Sequence, residues 1–279
     1  MNGANLSDEL CVVCGGETGR RRVGATPMRV CRRCGVGRAE TDGPAVDYWT
    51  SRGGAEESNH YWTEARTSVF KGALQLLAAE TRGRRLLDLG GGVGHFAACA
   101  LEAGWDAYSA DVSEVAVAAA AARLGPERSL RDVPPPLTGS FDAVTLWCVV
   151  AHTTDAKALL GAAARALRPG GTIFLTTPNF RFQQWYVAAL GRLDRPVDLR
   201  HHDHVLHFST AGIGRALADA GVREHRFVYV GVTEECVAEP RLKSVLVPAK
   251  RVWNRLAITG AKAGLPLLSS ELQVLGTVG

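Results

Sequence analysis

Between Arg84 and Phe96 an apolar run, Arg-Arg-Leu-Leu-Asp-Leu, breaks into Gly90-Gly91-Gly92-Val93-Gly94 and resumes as a helical pattern from Phe96 to Ala103. Strand, glycine loop and helix in that order form the ligand-binding turn of an open, doubly wound α/β sheet. Glycines remove side chains where the backbone must bend sharply and let a ligand come close, so such loops sit at the carboxyl ends of strands. The next strand pattern, Trp105 to Ala110, ends in Asp111. That is about the spacing at which an acid reaches the two hydroxyls of a ribose.

Two classes of ligand share such a loop, and charge separates them. A dinucleotide enzyme presents Gly-x-Gly-x-x-Gly and sets a helix N-terminus at a pyrophosphate. Here Asp88 stands directly before the glycines. A carboxylate there repels a pyrophosphate and suits a ligand with an amino group and a sulfonium. This favours S-adenosylmethionine (SAM) over NAD.

These residues resemble a known family. Leu87-Asp88-Leu89-Gly90-Gly91-Gly92-Val93-Gly94 is similar to the first motif of class I SAM-dependent methyltransferases, and Asp111-Val112-Ser113 to their ribose-binding acid and following turn. Phe141 to Trp147 resembles their fourth strand, and Leu167-Arg168-Pro169-Gly170-Gly171 the turn before the fifth. Ala151-His152 resembles the acid-His pair after the fourth strand, with the acid lost. The likeness runs in order from Leu86 to Asn179 and extends to bacterial enzymes of sugar and natural-product methylation that carry an N-terminal four-cysteine segment. It implies a seven-stranded Rossmann-like sheet. Gly90, Gly91, Gly92 and Gly94 would cradle the amino-acid part of SAM with Asp88 in support, Asp111 and Val112 would meet the ribose, and Asp132 the adenine. Phe96 and Trp147 complete the implied cofactor set, with Trp147 or His152 bordering the methyl group. The third strand departs from the pattern: it is hard to find around Arg128 to Asp132, and Pro134-Pro135-Pro136 follows.

Ahead of this domain Cys11 and Cys14 form one Cys-x-x-Cys and Cys31 and Cys34 another, each followed by glycine. Tetrahedral zinc takes soft thiolates, and two such turns let four sulfurs converge on one ion. We expect a structural zinc ribbon over residues 1–42, because so short a segment needs a staple to fold. Arg20, Arg21, Arg22 and Arg29 between the pairs read as a solvated face. Cys99, Cys148 and Cys236 sit singly in apolar runs and read as small buried hydrophobes.

A linker and a helix, residues 43–82, lead into the catalytic domain, residues 83–279. The helix pattern, Trp62 to Glu80, places Val69, Ala73, Leu76 and Leu77 on one face. Ser113 and Asp155 are expected to cap helices ending at Leu124 and Leu167. Gly171 to Thr177 reads as a buried strand, Thr210 to Gly221 as a helix, Glu224 to Val232 as a strand, and Glu271 to Val278 as a closing strand in an edge hairpin. Insertions at 180–208 and 241–265 interrupt the pattern where ligands bind, so acceptor choice is expected there.

The first insertion holds Trp185, Tyr186 and the cluster His201, His202, Asp203, His204 and His207. With His152, His204 and His207 are the candidate catalytic residues, imidazole being suited to taking a proton near neutrality; packing is the competing reading for each. His204 and His207 form His-x-x-His with His201 and Asp203 nearby, so a second metal is a further alternative, although the spacing is unlike the usual helical catalytic-metal motif. The second insertion mixes Trp253 and Ile258 with Lys243, Lys250, Arg251, Arg255 and Lys262, and Pro248 starts or kinks it. It reads as a basic amphipathic helix, either resting on a membrane surface or closing as a lid.

The chain has 279 residues and a formal charge of +4. That is too mild a balance for wrapping nucleic acid, and an Asn-Pro-Pro-aromatic motif is missing. Without an export signal or a 20-residue apolar span, a cytoplasmic location is expected. The reading is O-methylation of a small molecule or sugar. A lipid-linked saccharide or RNA as acceptor is the alternative, as is an inactive fold whose zinc ribbon binds a partner.

Overall fold

The computed structural model describes residues 9–40, 66–133, 137–192, 197–199, 204–231, 252, 255, 256, 258–260, 263, 266 and 269–279. The linker 43–59, Trp62, the triple proline, His201, His202, Asp203, Cys236 and most of the 241–265 insertion lie outside the described residues.

The main sheet begins with β4 (Arg85–Leu89), the strand expected before the glycines, and continues through β5 (Asp106–Ala110) and the two-residue β6 (Ser129–Leu130). Helices α2 (His95–Glu102) and α3 (Glu114–Leu124) connect them, and α1 (Thr67–Glu80) precedes β4. Then come β7 (Phe141–Trp147), α4 (Ala156–Ala166), β8 (Leu167–Pro178), α5 (Phe180–Gly191), α6 (Thr210–Asp219), β10 (Val222–Val228) and β11 (Glu271–Val278). The caps are local chemistry: Ser113 Oγ accepts from the Ala116 amide and Asp155 Oδ1 from that of Ala158.

The seven strands lie in the order β10-β11-β8-β7-β4-β5-β6. Pairings among β8, β7, β4, β5 and β6 are parallel, and β11 runs antiparallel to both neighbours. The closing strand therefore inserts between β8 and β10, and β10 forms the edge. Chain order reverses between β4 and β7, which is the switch point where open α/β sheets bind ligands. The third strand is present at Ser129–Leu130, but at two residues it is too short to leave a periodic signature.

One face of the sheet is covered by α1 and α2. There Phe96 packs against Phe70 and Trp147 with ring centroids 5.2 and 5.0 Å apart, and Trp147 lies 5.2 Å from Phe174. Tilted and edge-on pairs of this kind contribute roughly 0.5–1.5 kcal/mol each beyond the area they bury.

A second sheet joins the N-terminal segment to the rest. β1 (Thr18–Val23), β2 (Thr26–Cys31) and β3 (Gly37–Ala39) pair antiparallel, and β9 (Leu206–His207), from the first insertion, adds to β3. Gly37 faces His207 and Arg38 faces Leu206 in that register. The same insertion is held at a second place: the Ala25 amide donates to Val197 O at 2.9 Å, Thr26 Oγ1 to Asp198 Oδ1 at 2.9 Å, and the Leu199 amide to Thr26 Oγ1 at 2.6 Å. Gly24 is required there, because a Cβ on it would lie 2.4 Å from Val197 O. The ribbon's core is continuous with the large domain: Val13, Cys31, Cys34 and Val36 share an apolar cluster with Leu206, Phe208 and Ile213. The N-terminal segment is thus one wall of the molecule. Among the described residues no helix is long and apolar enough to cross a membrane.

Candidate active site

Gly90, Gly92 and Gly94 have φ of 73°, 52° and 81°, left-handed values that favour glycine. Packing enforces the choice as well. A Cβ on Gly91 would lie 2.4 Å from Ser109 Oγ and 2.8 Å from Asp88 Oδ2, and one on Gly90 would lie 2.5 Å from Val149. The loop is fastened to the neighbouring strand, with the Gly90 amide donating to Ala110 O at 2.7 Å and the Gly92 amide to Asp111 Oδ2 at 2.9 Å. Asp111 Oδ1 accepts from the Ser113 amide at 2.9 Å. Each oxygen keeps a further lone pair for a ligand.

Asp88 is buried and accepts a hydrogen bond from Thr145 Oγ1 at 2.7 Å. Burial pushes its carboxyl up to about 7, with the Asp111 carboxylate adding to the rise and Thr145 opposing it. Burial also raises Asp111, against the pull of the Ser113 and Gly92 amides. Two desolvated carboxylates beside one glycine loop are what a cationic ligand would relieve, and they disfavour a pyrophosphate. The donor set fits SAM, with Asp88, Asp111 and the loop backbone as the residues that would hold it.

The other cofactor candidates fall differently. Val112 stands 74% exposed just after Asp111, open to a ligand. Asp132 is exposed in the bend after β6. Phe96 and Trp147 instead belong to the core. At 2% and 8% exposure their rings pack on Phe70, Phe174 and each other beneath the loop.

Across the switch point, β7 ends at Trp147 and the chain turns through Cys148 into a 3₁₀ turn, Val149–Ala151. Cys148 has φ of 64°, a left-handed conformation costing roughly 1–2 kcal/mol for a residue with a Cβ. It is held because its amide donates to Thr176 O at 3.1 Å and Thr176 Oγ1 at 3.0 Å. Val149 packs on Gly90, so this turn borders the cofactor loop. The Val205 amide donates to Ala151 O at 2.8 Å, which brings the first insertion alongside. As a result the rings of His152 and His204 lie 4.6 Å apart, and Cys148 Sγ is 3.5 Å from His204 Nε2.

His207 lies deeper, with its ring edge-on to His204 and the centroids 6.1 Å apart. It is fully buried in β9 against Phe180, and its Nδ1 pairs with Gln183 Oε1 at 2.8 Å. Burial pulls it down to about 4. A neutral imidazole buried at the junction of the two sheets fits the packing reading of this residue. Cys148 is the residue that sequence reasoning passed over as a buried hydrophobe. Its position one residue after a strand tip and four before His152 was the available signal.

The four ribbon sulfurs cluster as expected, Cys11 Sγ 3.6 Å from Cys34 Sγ and Cys14 Sγ 3.5 Å from Cys31 Sγ. A tetrahedral ion with zinc–sulfur bonds of about 2.3 Å separates its ligands by roughly 3.8 Å. Gly15 and Gly35, at φ of 67° and 70°, close the two knuckles. The set fits zinc, held by Cys11, Cys14, Cys31 and Cys34.

A family model described as a methyltransferase domain matches residues 61–224, more than half of the chain. The chain belongs to this family. It is a class I SAM-dependent methyltransferase, with the sheet order and glycine loop of that class. Among curated relatives, the ubiquinone biosynthesis O-methyltransferase of Methylococcus capsulatus is 27% identical over 202 residues, which are 67% of this chain and 81% of that one. The enzyme of the same description from Xanthomonas oryzae pv. oryzae is 31% identical over 153 residues, 51% of this chain and 61% of that one. Among solved structures, magnesium protoporphyrin IX methyltransferase from Synechocystis, with bound SAH, superposes with a TM-score of 0.53 at 16% identity, covering 84% of this methyltransferase and 97% of that chain. This last likeness is one of fold.

Proposed function

We propose that this methyltransferase forms a methyl ether on a hydroxyl of a small molecule or sugar. The observation that carries the reading is the pair of imidazoles, His152 and His204, held beside the glycine loop by the Val149–Gly90 contact and the Val205–Ala151 hydrogen bond. When bound, SAM supplies an electrophilic methyl group on a sulfonium. What the chain must then do is orient an acceptor oxygen in line with that methyl, exclude water and take up the hydroxyl proton. Asp88, Asp111 and the loop amides fix the donor side, while His152 and His204 are the acceptor-side groups. The relatives named as ubiquinone biosynthesis O-methyltransferases support oxygen as the acceptor atom.

The test is transfer from methyl-labelled SAM to a panel of phenols, catechols, free sugars, amines and RNA. A labelled methyl ether on a hydroxylated small molecule is expected. Transfer confined to nitrogen, carbon or RNA overturns the reading.

A further inference from the structure

We infer that Cys148, His152 and His204 form a second metal site, a three-ligand zinc centre with its fourth position open to the acceptor. Its role, though not its existence, rests on the methyltransferase reading above.

The argument begins with the donor set. One ligand atom from each of the three residues lies within 4.8 Å of the others. Thiolate and imidazole are the ligands zinc selects, and three protein ligands with a vacant fourth position are the pattern of a catalytic rather than a structural ion. The distances agree: bonds of about 2.3 Å to sulfur and 2.05 Å to nitrogen at a tetrahedral angle put the two ligand atoms roughly 3.6 Å apart. Cys148 Sγ and His204 Nε2 are separated by 3.5 Å. The His152 ring, half-buried at the end of its turn, has its centroid 4.6 Å from that of His204.

The frame around the three is rigid, as a metal site requires. Cys148 is fixed by two hydrogen bonds from its amide to Thr176, and His152 follows directly from the 3₁₀ turn that Cys148 starts. His204 comes from a different part of the chain and is locked to that turn through Val205 and Ala151. The left-handed backbone at Cys148 turns the chain at the strand tip while keeping a side chain that glycine, the residue suited to that φ, would lack. None of this is needed to bury a cysteine as a hydrophobe.

Position gives the site its use. The turn packs on Gly90 of the cofactor loop, so an ion there sits on the acceptor side of the donor seat. A hydroxyl oxygen coordinated at the open position loses its proton to water at neutral pH, because the cation stabilises the alkoxide or phenolate. The oxygen then carries the electron pair that forms the new C–O bond as the C–S bond breaks. In this form of the site His152 and His204 act on the acceptor through the ion they hold. The chemical class it fits is a hydroxylated small molecule able to give one oxygen to a divalent ion.

The test counts metals in the full-length chain by elemental analysis after purification with zinc present and exhaustive dialysis. About two zinc ions per chain are expected, one for the ribbon and one for this site. H152N and H204N should each lower the content to about one while leaving SAM affinity, read by calorimetry, within about twofold, which shows that the fold survives. Cobalt substitution gives an independent reading: the second equivalent should produce visible bands of a one-thiolate site, and C148S should remove its sulfur-to-metal charge-transfer band. A wild-type content of one zinc, or a content of two unchanged by H152N, H204N and C148S alike, overturns the site. Methyl ether formation by a one-zinc chain would leave the transferase reading standing and remove only the second ion.

Discussion

The backbone amide of Gly92 donates to Asp111 Oδ2 at 2.9 Å, so the glycine loop after β4 and the acid at the tip of β5 are one hydrogen-bonded unit. Asp111 therefore holds the loop in shape, and under the expected SAM pose it would also meet the ribose. D111A should weaken SAM binding by about 10- to 100-fold, the equivalent of one charge-assisted hydrogen bond. D111N keeps one acceptor oxygen for Gly92 or Ser113 and should lose less. Calorimetric titration with SAM checks both; an unchanged affinity in D111A rejects the ribose assignment.

Asp88 makes SAM affinity depend on pH. Its carboxyl is raised to about 7 in the free protein by burial, so near neutrality a good share of molecules carry a proton there. A cationic ligand favours the ionised form, so binding releases a proton and affinity rises with pH. Between pH 6 and 8 the gain should be about tenfold, with the slope fading above the raised value. D88N should bind more weakly and show a flat profile. A wild-type profile as flat as that of D88N would contradict the charge complementarity.

His207 should govern acid stability at the junction of the two sheets. Its folded value, about 4, lies below the ordinary histidine value of 6.5. Above 6.5 both folded and unfolded chains are neutral at this residue, and its contribution is complete. As pH falls from 6.5 towards 4 the unfolded chain takes the proton first, and stability drops by about 3 kcal/mol in total. Urea midpoints at pH 7 and 4.5 for the wild type and H207N should show the steeper loss in the wild type. Parallel losses would reject the assignment.

Zinc in the ribbon is expected to reach the acceptor side of the site. Ser209 Oγ donates to Cys34 O, β3 pairs with β9, and Val205 donates to Ala151. This chain of contacts runs from the four-cysteine cluster to His204 and His152. The double variant C11S/C34S should raise amide exchange at Leu206–Phe208 and lower methyl transfer, while SAM affinity changes by less than about twofold because the loop is fastened to β5. Unaltered exchange in β9 would show that the ribbon is energetically separate from the acceptor wall.

Where a pattern lies within a few consecutive residues, the chain announces it. The apolar strand ending in Asp88 and its glycines, the acid at the next strand tip, the two Cys-x-x-Cys turns and the caps Ser113 and Asp155 depend on spacing along the backbone and were legible. β6 was not, because two residues carry no period. The packing of Phe96 and Trp147 was also hidden, since which face of an element meets Phe70 or Phe174 depends on how helices lie on the sheet.

The sequence by itself determined a doubly wound sheet, a seat for a cationic sulfur nucleoside and a four-thiolate cluster, all through motifs whose residues lie close together in the chain. Only the tertiary structure decided that β9 joins the ribbon sheet, that His207 is sealed inside while His204 faces His152, and that Cys148 stands with them. Those outcomes rest on pairing between distant segments, Gly37 in register with His207 and the Val205 amide bonded to Ala151 O. Such pairs leave no periodic trace in the order of residues, because their partners are chosen by packing rather than by spacing.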